Sequence, residues 1–192
     1  MHIIKLGGSL YNTIELKTWL TRLNEVAKRQ PLVIVPGGGP FADQVRQAQQ
    51  QHQFDDRHAH HMAILAMAQF GLLLHGLLPS ANMVKTPAAV TVQPQLSIWI
   101  PDDQLLKEDI AQNWLITSDS LALWFAQQLP APRQLSLIKR VQPESGDIRQ
   151  LSAKAIIDRG FPTLYQQCPI ATQLVNAHDA DSFPNTALTL FL

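Results

Sequence analysis

The residues with the clearest chemical potential are a lysine and two sets of glycines. Lys5 stands just ahead of Gly7-Gly8-Ser9, and a second glycine turn, Gly37-Gly38-Gly39, follows another short apolar run. A glycine turn between a strand and a helix leaves backbone N–H groups free at the positive end of the helix dipole, and such groups hold anions, phosphate above all. An ammonium beside them reaches the same anion. One such turn alone reads as a tight connection in which glycine supplies a positive φ. Two of them, one preceded by lysine and one tripled, point to the cradling of adjoining phosphates.

Those turns need a scaffold that brings them to one place. His2–Leu6 and Leu32–Pro36 are short and mostly apolar, as strands buried on both faces of a parallel sheet are. After the first, Asn12 and Glu15 have the spacing of a capping box, and Leu16, Trp19, Leu20, Leu23 and Ala27 recur at helical intervals. After the second, Pro40 suits a first helical turn, and Phe41, Val45 and Ala48 form one helix face. In an open parallel sheet the carboxyl ends of the strands share one edge, where ligands bind.

Further along, Arg57 to Leu74 predicts a buried helix, apolar nearly all round. Ala89–Val92 and Leu96–Ile100, split by Gln93-Pro94-Gln95, predict a hairpin or two edge strands, the antiparallel part of a mixed sheet. Thr117-Ser118-Asp119-Ser120 opens a helix through Leu129, and Leu135–Val141 is a strand carrying Lys139. Helices near Ser152–Asp158 and Pro162–Gln167, a strand at Gln173–Asn176 and a last strand near Ala187–Phe191 complete the pattern.

At 192 residues, 46% of them apolar, the chain has enough for one substantial core, and no linker marks a boundary. One domain over 1–192 is expected. Fifteen basic and fifteen acidic residues give zero formal charge with no basic cluster, which argues against a nucleic-acid partner. A single cysteine, Cys168, and an N-terminus that leads straight into a strand fit a cytosolic protein. The apolar stretch 62–78 is interrupted by Gln69, Gly71, His75 and Gly76 and falls short of a spanning helix, so no membrane is expected.

Other readings of the same residues are weaker. Gly37, Gly39 and Ala42 match a dinucleotide fingerprint, but no second strand ending in an acidic residue follows at the required distance. Neither turn has the Gly-Lys-Ser or Gly-Lys-Thr of a P-loop. His58, His60 and His61 sit close together, yet no second cluster completes a zinc site, and no metal-ligating residue is assigned.

The segments KLGGS at 5–9, VPGGGPFADQVR at 35–46, ITSDSLA at 116–122 and LIKRV at 137–141 together resemble the amino acid kinase superfamily. Within it, PGGGPFAD, HHMAILAMAQFG and TSDSLA…LIK are most similar to the branch that phosphorylates (aminomethyl)furanyl-methyl phosphate in the synthesis of methanofuran-type carriers. The resemblance implies an α/β fold, a three-layer sandwich of helices around a mainly parallel sheet. Residues 1–113 would hold the acceptor and a shortened 114–192 half the nucleotide. It implies ATP and Mg2+ as cofactors, transfer onto a phosphate monoester to give a diphosphate, and a homo-oligomer.

Matched motif to motif, Lys5 would stabilise charge on the transferred group, and Gly7, Gly8, Ser9, Gly37, Gly38 and Gly39 would bind phosphates. Asp119 resembles the aspartate that orients the catalytic lysines; on its own it is also a helix-start carboxylate. Lys139 touches nucleotide phosphates on one reading and is a strand-rim lysine on the other. For the acceptor, His61 matches a histidine of the related branch, Asp55 or Asp56 would pair with an aminomethyl ammonium, and Arg46 would reach a phosphate or be solvated. After LIKRV the chain departs from the superfamily, with Gln142-Pro143-Glu144-Ser145-Gly146 where an Asp-Gly turn is usual. A non-catalytic member of the fold that binds a phosphorylated metabolite, or serves as an assembly subunit, is the alternative.

Overall fold

A computed structural model describes residues 1–130 and 132–192. Its centre is β1 (His2–Leu6), flanked by β2 (Leu32–Pro36) and β5 (Gln134–Lys139), each parallel to it. The full sheet has seven strands in the order β3-β4-β2-β1-β5-β6-β7, adding β3 (Asn82–Val84), β4 (Leu96–Trp99), β6 (Ala171–Asn176) and β7 (Leu188–Thr189). Only β7 runs antiparallel to its neighbour among the named strands. Successive strands leave β1 first on one side and then on the other, so the crevice at their carboxyl ends opens beside β1.

Every residue of β1 and β2 is buried, because helices cover both faces of the sheet. The strand period of two divides them. Ile3, Val33, Val35, Leu135 and Leu137 face a core shared with α4 (Ser118–Gln127), α5 (Ile148–Ala153) and α6 (Phe161–Gln167). Ile4, Leu6, Ile34 and Ile138 face α1 (Glu15–Ala27) and the C-terminal half of α3 (Asp56–Leu77). Lys5 and Lys139 therefore share the α4 face with Ile3 and Leu137. α2 (Gly39–His52) packs along α3.

α3 is long and apolar enough to cross a membrane by length and composition alone. Here Phe70 and Leu74 are wholly buried in the core against the sheet.

Three expectations are corrected. The segment 89–100 is not a hairpin: Pro87–Ala89 closes as a 3-10 turn, Val92 is exposed, and β4 instead joins β2 in parallel with Leu32 opposite Leu96. Its outer neighbour is β3, three residues long and too short to show a period. Asn12 caps nothing, because Gly8–Leu10 forms a 3-10 turn and α1 begins only at Glu15, after Ile14. The helix expected near Ser152–Asp158 lies at Ile148–Ala153, capped by Asp147, whose carboxylate accepts from the amides of Arg149 and Gln150.

Candidate active site

The two glycine turns touch. A Cβ built on Gly8 would fall 2.2 Å from the Cα and N of Gly39, and one on Gly37 would fall 2.6 Å from the amide of Gly8. Gly39 takes φ +55, which a side chain disfavours. The Gly37 N–H donates to Leu6 O at 2.9 Å and so ties the end of β2 to β1. By contrast, the amides of Gly8, Ser9, Gly38 and Gly39 meet no acceptor among the described residues. They are donors available to an anion.

Behind the turns stands a buried charge cluster. Asp119 is delivered by the first turn of α4 and is 2% exposed. Its Oδ1 lies 2.8 Å from Lys5 Nζ and its Oδ2 2.5 Å from Lys139 Nζ. Lys5 comes from the carboxyl end of β1 and Lys139 from that of β5, so two strands and one helix meet in this carboxylate. Burial pushes the Asp119 carboxyl up, but the charges of Lys139 and Lys5 outweigh it and hold it down at about 2. Burial lowers Lys139, against the opposing pull of Asp119. An ammonium has three N–H donors; Lys139 directs one to Asp119 Oδ2, while Lys5 meets Oδ1 as a close ion pair. Neither ammonium meets another acceptor among the described residues, and Lys5 Nζ lies 3.5 Å from the Cβ position of Gly7.

A second carboxylate holds the helix that carries Asp119. Asp158 accepts from the Thr117 and Ser120 amides, both at 2.9 Å, and from Thr117 Oγ1 at 2.5 Å. Thr117, the residue before α4, makes no side-chain cap of its own, so Asp158 caps the helix from a distant loop. Burial and the neighbouring Asp119 push the Asp158 carboxyl up, while its hydrogen bonds pull it down.

Beside the turns opens a cavity of about 470 Å³. α2 contributes Gly39, Ala42, Asp43 and Arg46, and α3 contributes His60, Ala63, Ile64 and Met67, each set spaced as one helix face. Ser9, Tyr11, Trp114 and Thr117 also line it. The Arg46 guanidinium lies 4.5 Å from the centre of the Trp114 ring and 2.8 Å from Asp43 Oδ1. Trp114 is fixed by its Nε1, which donates to Gln49 Oε1 at 2.6 Å. Burial lowers His60 and so favours its neutral form, against a hydrogen bond to the Asn113 backbone that raises it.

Of the residues singled out in the sequence, Lys5, Asp119 and Lys139 come together, and Gly8, Ser9, Gly38, Gly39 and Arg46 line the adjoining cavity. Gly7 and Gly37 sit just behind, one against Lys5 and the other against Gly8. Three acceptor residues are placed elsewhere. Asp55 caps α3, accepting from the His58 amide at 2.9 Å. Asp56 accepts from Gln49 Nε2. His61 bonds Asp103 at 2.8 Å on the outer face of α3, and the histidine that lines the cavity is His60. Sequence reasoning missed Asp43, His60 and Asp158. Asp43 was within reach, because it lies one helical turn past Gly39 on the face that also carries Arg46.

No group of three or more His, Cys, Asp or Glu among the described residues is arranged to hold a metal. Asp119 has both oxygens engaged by lysines, and Asp43 is the one carboxylate among the residues that line the cavity. These residues do not fit a protein-held Mg2+.

A family model described as the amino acid kinase family matches residues 1–158. The chain is 30% identical to [5-(aminomethyl)furan-3-yl]methyl phosphate kinase of Methanocaldococcus jannaschii, over 92% of this chain and 88% of that protein. Among solved structures, uridylate kinase from Archaeoglobus fulgidus superposes with a TM-score of 0.74 at 14% identity, over 99% of both chains. Carbamate kinase from Giardia lamblia bound to AMP-PNP superposes with a TM-score of 0.59 at 12% identity, over 99% of this chain and 98% of that one.

Proposed function

The chain belongs to the amino acid kinase family, and from that premise we propose that it transfers the terminal phosphoryl group of ATP onto [5-(aminomethyl)furan-3-yl]methyl phosphate, giving the diphosphate in methanofuran-type cofactor synthesis. The observation that carries this reading is the Asp119 carboxylate held between two lysine ammonium groups directly behind two touching, amide-lined turns.

Phosphoryl transfer asks a protein mainly for positioning and charge stabilisation. The free amides of Gly38 and Gly39, at the start of α2, would hold the acceptor phosphate. Those of Gly8 and Ser9 would hold the group in transit. Lys5 and Lys139 would offset the charge that builds on its oxygens, with Asp119 fixing both ammonium groups and keeping them protonated. The acceptor oxygen is already anionic, so no general base is needed. The nucleotide would lie on the β5–β6 side, against Lys139. Mg2+ would arrive with it, ligated by phosphate oxygens and water. The chain is read as one domain, with acceptor and nucleotide served by its two halves.

The presence of all three charged groups in one cluster supports turnover over the non-catalytic alternative. The apolar face of α3, with Met62, Leu65 and Leu72 exposed, supports a homo-oligomer. A cytoplasmic setting fits this chemistry. The test is ADP release with ATP and the furan-methyl phosphate, together with phosphorus NMR of the product. Release that depends on the acceptor and yields a diphosphate is expected; no release and no binding of the acceptor would defeat the reading.

A further inference from the structure

The cavity carries one carboxylate on its wall, Asp43, and the acceptor proposed above carries one ammonium. The other nearby acids are committed. Asp119 is shared by two lysines, Asp158 accepts three hydrogen bonds, and Asp55 and Asp56 lie outside the cavity. Asp43 is tied only to Arg46 on its own helix, and both side chains are more than half exposed. An exposed pair of this kind exchanges partners readily.

Its position suits the exchange. Asp43 lies one helical turn beyond Gly39, on the face that looks into the cavity. A ligand whose phosphate rests on the amides at the start of α2 has Asp43 alongside its far end, about 6 Å further along the axis at 1.5 Å per residue. Arg46 has a second anchor in the face of Trp114, so it need not follow Asp43 when that carboxylate turns to the ligand.

We propose that Asp43 is the specificity residue that receives the primary ammonium of the phosphorylated acceptor, exchanging Arg46 for the ligand while Arg46 stays on Trp114. This inference rests on the kinase reading above and deepens it. The far end of the cavity would then select for a cation, and the amides for an anion.

The experiment compares the wild-type chain with Asp43→Asn and Asp43→Glu on two phosphates, the aminomethyl compound and its analogue with methyl in place of aminomethyl. Calorimetric titration without nucleotide reads binding, and ADP release reads turnover. Wild type is expected to favour the amine about 10–100-fold, the worth of a hydrogen bond to a charged group. In Asp43→Asn the preference should fall to within about threefold of unity, and Asp43→Glu should restore part of it. An Asp43→Asn variant that keeps the wild-type preference, or a wild type with none, overturns the assignment. Absence of ADP release from a wild type that still prefers the amine overturns the kinase reading and leaves the role of Asp43 in binding supported.

Discussion

Lys5 Nζ lies 2.8 Å from Asp119 Oδ1, which joins the carboxyl end of the central strand to the first turn of α4 through a buried ion pair. Removing the ammonium leaves Asp119 with Lys139 alone and, in the proposed transfer, would take away stabilisation of the transferred group. Lys5→Ala is expected to lower kcat by roughly 100–1,000-fold. Its stability should fall by about 1–3 kcal/mol rather than collapse, because Lys139 remains as a partner. Steady-state ADP release and urea melts read the two effects separately. Near-normal turnover in a folded variant would remove Lys5 from the chemistry.

Acid should weaken the fold in two stages. His2 is buried against Ser136 Oγ, 2.7 Å from its Nε2, and burial, with the N-terminal charge, lowers it to about 4. A lowered value means that the unfolded chain takes up the proton first. The stabilisation is complete above the ordinary histidine value and is lost as pH falls from about 6.5 to 4, by roughly 3 kcal/mol. Asp119, held at about 2, gives a second loss as pH falls from its ordinary carboxylate value toward 2. Melts from pH 8 to 2.5 should show both, and His2→Gln should shrink the upper step to the smaller share that buried His60 contributes, leaving the lower one unchanged.

Glycine is required for different reasons at different places. Gly8→Ala would drive a methyl into the backbone of Gly39, 2.2 Å away, so it should part the turns and destabilise by about 1–3 kcal/mol. Binding of phosphate monoesters should go with it. Gly76, inside α3, has nothing within 4 Å of its Cβ position. Gly76→Ala should therefore stabilise by about 0.5–1 kcal/mol. Paired thermal melts, with and without the acceptor, separate the two cases.

Asp158 acts on the site through α4. Asp158→Ala strips the cap from Thr117 and Ser120 and should cost about 1–2 kcal/mol. It should also lower kcat about tenfold through a misplaced Asp119, with little change in the acceptor KM. Because the Asp158 carboxyl is pushed up, its contribution to stability is greatest in acid and declines as pH rises through its titration. Asp158→Asn removes that titration, so its stability relative to wild type should improve from pH 4 to 8. A kcat unchanged in both variants would make Asp158 purely structural.

The parts of this site written in local sequence were readable from it. Strand, glycine turn and helix follow one another directly at the second turn, while at the first a 3-10 turn intervenes before α1 begins at Glu15. The Thr-Ser-Asp-Ser run made Asp119 legible as a helix-start carboxylate, and only the resemblance to the amino acid kinase superfamily set it beside the lysines. Asp158 was not, since it reaches Thr117 across 41 positions of chain and no short pattern records that contact. The exchange of His60 for His61 has a different cause. α3 is apolar nearly all round, so periodicity gives no inward face, and the choice between adjacent histidines rests on how α3 packs against α2. The misplaced hairpin came from reading Gln93-Pro94-Gln95 as a turn between paired strands, when the partner of β4 lay before Pro87.

The contact of Gly8 with Gly39 has a mechanical effect as well as a steric one. Main chain presses on main chain there, with no compressible side-chain layer to absorb movement. In the proposed transfer, a ligand held on one turn would hold the other turn in place, and whichever ligand docks second would give up less freedom in entering. Donor and acceptor should consequently bind with positive synergy through the peptide backbone itself.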